Sequence, residues 1–117
     1  MDYEDYLYEE VEGGCIETFK YSRATLKEAD VFRKRIIKDI ESGKRNIIVD
    51  LSFCDYCDST FIGALVVCTK KLILNSGKIC FVVREGSDLS LLFQTTRLDR
   101  ILSIYQTRED AINNFIK

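Results

Sequence analysis

Two short apolar runs, Asn46-Ile47-Ile48-Val49-Asp50-Leu51 and Ile79-Cys80-Phe81-Val82-Val83, constrain this chain more than any other feature. Neither alternates polar with apolar residues, so each reads as a strand covered on both faces. Between them, residues 59–76 carry Ile62, Leu65, Val66, Thr69, Leu72 and Ile73 at spacings of three and four, with Gly77 as the stop. That is the signature of a helix. A strand, a helix and a second covered strand imply parallel neighbours joined by a right-handed crossover, and hence an α/β fold.

The flanking segments extend the alternation. Residues 3–11 and 14–21 are strand-like, and Glu12-Gly13-Gly14 between them suits a hairpin turn. Thr25 opens a helix, with Glu28 three residues on in a capping-box pattern. Leu26, Ala29, Phe32, Ile36 and Ile40 line one face of it, Val31 and Ile37 lie near the edges, and Gly43 ends it. Ser87 caps a short helix through Leu89, Leu92 and Phe93; residues 101–105 read as a last strand. Thr107 with Asp110 caps a final helix that buries Ala111, Ile112 and Phe115. The predicted order is ββαβαβαβα in a single domain over residues 1–117, a mixed sheet of about five strands with four helices. Tyr6 and Tyr8, two apart with Tyr3 nearby, suit one face of an edge strand; a homodimer contact is the other use for them.

Composition removes several function classes. The chain has no histidine, which excludes Ser-His-Asp and Cys-His catalysis and most metal sites. It has no proline, so no cis-Pro turn shapes a site. A net charge of −2 argues against nucleic acid as a partner. Arg33-Lys34-Arg35 and Lys70-Lys71 read as solvated helix faces. The acidic start, Met1-Asp2-Tyr3-Glu4-Asp5, is no signal peptide, and no run approaches the ~18 apolar residues of a membrane span, so a cytoplasmic protein without a membrane partner is expected. Five cysteines without scaffold spacing suit a reducing compartment. Cys54-x-x-Cys57 ahead of a helix raises a thiol-redox reading, although the pair lies early for a thioredoxin site; zinc would need Cys15, Cys68 or Cys80 as further ligands. Ser42-Gly43-Lys44 lacks the first glycine of a phosphate loop and follows a helix, so no nucleotide or other cofactor is expected.

The stretch Cys54-Asp55-Tyr56-Cys57-Asp58-Ser59-Thr60-Phe61-Ile62-Gly63 sets a hydroxyl pair behind an acid where a buried strand gives way to a helix. A helix N-terminus has unpaired N–H groups and a partial positive charge, and tolerates a phosphate well. Ser59 and Thr60 therefore read either as helix caps or as a reversible switch, with Asp58 as N-cap.

These residues make the chain resemble the STAS domain family, the anti-sigma-factor antagonists, over nearly its whole length. Asp50-Leu51-Ser52 followed by Asp58-Ser59-Thr60-Phe61-Ile62-Gly63 is similar to the family's Asp-Leu-Ser and Asp-Ser-Ser/Thr-Gly-Leu-Gly pattern. Thr96-Arg97-Leu98-Asp99-Arg100-Ile101-Leu102 and Thr107-Arg108-Glu109-Asp110-Ala111 match two C-terminal segments. Phe61 and Arg97 stand where the family usually has glycine. The resemblance implies a non-catalytic regulator that binds an anti-sigma factor or serine kinase, with Ser59 as phosphoacceptor, Thr60 as second choice, and a serine phosphatase to reset it. Asp58, Ser59, Thr60 and Phe61 are the implied partner-binding residues; Phe61 reads equally as an exposed anchor or a core residue. A STAS scaffold that binds its partner constitutively, without phosphorylation, is the first alternative, and thiol-redox chemistry at Cys54 and Cys57 the second.

Overall fold

The computed structural model describes residues 6–116, and Asn46–Asp50 (β4) is the central strand of its main sheet. β1 (Tyr6–Val11) and β2 (Gly14–Phe19) form an antiparallel hairpin. β2 runs parallel to β4 and β4 parallel to β6 (Lys78–Val82), giving the order β1-β2-β4-β6-β7 with β7 (Ser103–Tyr105) at the far edge. Residues 1–5 lie outside the described residues, and with them Tyr3 and the start of the first predicted strand.

The helices are α1 (Leu26–Glu41), α2 (Ser59–Leu74), α3 (Asp88–Thr95) and α4 (Arg108–Ala111), the last running into a wider π-turn over Ile112–Ile116. Residues from α1, α2 and α3 share the larger core with Ile47, Val49, Ile79 and Phe81, while α4 and the π-turn after it bring Ala111 and Phe115 to Ile16, Ile48, Cys80 and Val82 on the opposite face. Alternate residues of β4 and β6 thus enter different cores, which is why neither strand has a polar face. The sheet is mixed, five-stranded and served by four helices, as the sequence predicts.

Several predicted details are corrected. The buried face of α2 is Phe61, Ala64, Leu65, Cys68, Thr69 and Leu72, while Ile73 is exposed. This helix is apolar around most of its girth, so periodicity alone left its rotation open. Leu26 is exposed too, because it falls at the edge of the α1 stripe set by Ala29, Phe32, Ile36 and Ile40. Arg35 is no solvated face residue: it pairs with the buried Glu17. The left-handed residue after α2 is Ser76 (φ 62°); Gly77 serves instead for close approach, since a Cβ there would stand 2.6 Å from the Arg45 carbonyl oxygen. The last strand starts at Ser103 because a 3₁₀ turn, Leu98–Arg100, and the exposed Ile101 precede it, and Ile112 is half-buried. A small parallel pair, β3 (Arg23–Ala24) with β5 (Tyr56–Cys57), was not foreseen. Among the described residues, no helix is long and apolar enough to cross a membrane.

Candidate switch site

The site begins where β4 ends. Asp50 is buried; its Oδ1 accepts the Ser52 N–H at 2.9 Å and its Oδ2 accepts Arg108 Nε at 2.8 Å. Arg108 also reaches Glu9 Oε2 at 2.8 Å and donates to the Thr18 hydroxyl, so one guanidinium joins α4, β1, β2 and the end of β4. A buried carboxylate is tolerated when it is paired and hydrogen-bonded in this way.

The loop from Leu51 to α2 is held from two sides. Arg84, just past β6, donates to the Ser52 carbonyl at 2.7 Å and to Asp55 Oδ1 at 2.9 Å. On the other side the Ser22 carbonyl accepts the N–H groups of Asp55 and Tyr56 at 2.8 and 3.1 Å, the Ala24 carbonyl accepts that of Asp58 at 3.1 Å, and the Arg23 guanidinium stacks 4.7 Å from the Tyr56 ring. Sequence reasoning singled out neither Arg84 nor the pairing partner of Asp50. The available signal was an acid ending an apolar run, which needs a cation from elsewhere in the chain.

Against this fixed loop the helix start is well defined. Asp58 is the N-cap in extended conformation; its Oδ1 accepts the Phe61 N–H at 3.0 Å and its carbonyl accepts the Ile62 N–H at 3.1 Å. Ser59 and Thr60 are the first two helical residues, and both are exposed. Their N–H groups belong to the first turn, which has no intrahelical carbonyls to bond. Gly63, one turn on from Ser59, is exposed with open space around it, so no side chain shields the hydroxyl from that direction. Exposed Phe53 and Tyr56 come from the same loop, and a groove of about 290 Å³ lined by Asp55, Tyr56, Asp88, Leu91, Leu92 and Thr95 runs beside it.

Two sequence-predicted roles fail here. The ring of Phe61 is 1% exposed and packs 5.5 Å from that of Phe32, so Phe61 is a core residue and its side chain offers nothing to a partner. Cys54 and Cys57 are buried, and burial pushes their thiols up to about 11 and about 12. A reactive redox thiol needs exposure and a lowered pKa, and this pair has neither. Among the described residues, no three acidic or thiol side chains group closely enough to hold a metal ion.

The sequence pattern of the STAS domain family matches residues 25–111. Solved structures share the fold. An anti-sigma factor antagonist from Mycobacterium paratuberculosis is 19% identical with a TM-score of 0.83, covering 96% of this chain and 93% of its own. An anti-sigma-factor antagonist (STAS) domain protein from Planctomyces limnophilus is 18% identical with a TM-score of 0.77, over 95% of this chain and 97% of its own. The Bacillus cell fate determinant SpoIIAA in its phosphorylated form is 18% identical with a TM-score of 0.66, over 92% of this chain and 96% of its own.

Proposed function

This chain belongs to the STAS domain family, and on that premise we propose that it is a non-catalytic cytoplasmic regulator, an anti-sigma-factor antagonist. Its unmodified form binds an anti-sigma factor or serine kinase at residues 58–60 and releases it when Ser59 is phosphorylated. The observation that carries this reading is the exposed Ser59 hydroxyl at the first helical position, set on a loop tied down by Arg84 and the Ser22 carbonyl. The kinase brings the nucleotide and its metal, and a serine phosphatase resets the switch.

The energetics favour a switch that spares the fold. Phosphate adds about −1.5 to −2 charges. At a helix N-terminus that charge is stabilised by roughly 0.3–1 kcal/mol. SpoIIAA in its phosphorylated form has a similar fold, which supports this compatibility. A docked partner responds differently. A doubly charged group next to Asp58, pressed into an interface, costs several kcal/mol. Even about 3 kcal/mol is roughly a hundredfold in affinity.

Ser59→Asp is therefore expected to abolish capture of the partner kinase or anti-sigma factor while the circular dichroism spectrum stays native, and Ser59→Ala to keep binding but take no phosphate. Equal binding by the two variants would sink the switch.

A further inference from the structure

The switch leaves one group of buried charges unused, under the hairpin. Glu17 on β2 and Asp39 on α1 are 2% and 7% exposed. Arg35, one turn before Asp39, puts Nε and Nη2 on the same oxygen, Glu17 Oε1, at 2.9 and 2.7 Å. That ion pair satisfies Glu17 and leaves the charge of Asp39 over. Asp39 Oδ2 is buried with no hydrogen-bond partner, a state an ionised oxygen tolerates poorly. Among the described residues the nearby lysines do not bond it: Lys44 Nζ sits on Glu10 Oε1 at 2.9 Å, and Lys38 is exposed at the rim of the same cavity. Tyr8 from β1 and Ser42 complete the wall of a cavity of about 360 Å³ that Glu17, Arg35, Lys38 and Asp39 also line.

We propose that Glu17 and Asp39 hold one proton between them at neutral pH, carried by Asp39 and donated to Glu17, so that the packing of α1 on the hairpin is proton-linked. The proton makes Asp39 a donor where it now has an orphaned acceptor. Burial is the main cause that pushes the Asp39 carboxyl up to about 8; the hydrogen bond to Glu17 and the charge of Glu17 add to it, and Arg35 and Lys44 oppose it. The other titratable groups facing the pair are Tyr8 and Glu10 on β1 and Cys15 on β2, whose thiol burial pushes up to about 12. A metal ion is a poorer occupant, because no third ligand joins the pair among the described residues and Arg35 is already there.

The sign follows from proton counting. Unfolded, Asp39 loses its proton near the ordinary value, 3.8; folded, it keeps it to about 8. Across that window the native state binds more protons, so stability falls as pH rises and levels off above it. Asp39→Asn is nearly isosteric and keeps a donor for Glu17. Its unfolding temperature should match the parent's near about pH 4, pull ahead of it steadily as the pH rises, and exceed it by several degrees near about pH 9. The Asp39 carboxyl carbon, followed by NMR, should titrate in the same range. A constant offset between the two proteins, or a carboxyl titrating below about pH 5, overturns the shared proton. A titration midpoint that moves when sodium is replaced by N-methylglucamine overturns it in favour of a bound metal ion.

Discussion

Ser59 and Phe61 stand two residues apart on α2, and the helical twist sends them to opposite sides, one into water and one onto Phe32. The cap at Asp58 was legible because capping is local chemistry. The direction of Phe61 was not, because it depends on how the whole helix is rotated against the sheet. Arg97 is legible in the opposite sense. It stands where the family pattern has glycine, and it takes the conformation a glycine would, φ 62° and ψ 22°, before the 3₁₀ turn. A left-handed residue with a side chain costs about 1–2 kcal/mol. Replacing it with glycine gives back roughly 0.5–1 kcal/mol through the looser unfolded chain. Arg97 is exposed and its side chain makes no hydrogen bond or ion pair among those described, so nothing offsets the gain. Arg97→Gly should raise the stability by about 0.5–1 kcal/mol in urea unfolding with an unchanged slope; a loss of stability would show that the arginine side chain holds the turn.

Elements were legible in proportion to how much of their own packing they carry. β4 and β6 are buried on both sides and wrote that into five consecutive residues each. β3 and β5 have two residues each, and their pairing was invisible because it rests on backbone groups brought together by the fold, with no side-chain pattern behind it. α4 is also short, and much of its docking is electrostatic: Arg108 from its first turn reaches Asp50, Glu9 and Thr18. Removing one partner of a buried pair leaves the other charged and unpaired, a loss of about 3–5 kcal/mol when both are dry. Arg108 is 35% exposed and Asp50 keeps the Ser52 N–H, so the effect should be smaller. Arg108→Ala is expected to cost about 2 kcal/mol in chemical denaturation and to speed amide exchange in α4 and at the ends of β1 and β4. Loss of stability without faster exchange there would assign the effect to something other than this junction.

At the scale of the whole molecule, the five cysteines sample the interior. Cys15 lies on β2, Cys54 and Cys57 in and beside the switch loop, Cys68 on α2 and Cys80 on β6, all free and none more than 3% exposed. Burial pushes their thiols up to about 11 for Cys54 and Cys68 and to about 12 for the rest. At pH 8 the native thiolate fraction is then about one in a thousand or less, so alkylation requires an opening that exposes the sulfur. Both cores are strung on the same strands, β4 and β6, so a global opening exposes all five together. The switch loop is the place where a smaller opening is conceivable, yet the Arg84 and Ser22 contacts fasten it to segments beyond both ends of the loop. Labelling read by mass spectrometry should therefore be slow at neutral pH, and all five sites should accelerate together as urea is added. Early modification of Cys54 and Cys57 alone would mean that the loop leading into Ser59 opens by itself, and that the surface proposed for the partner is a mobile segment instead of a preformed one.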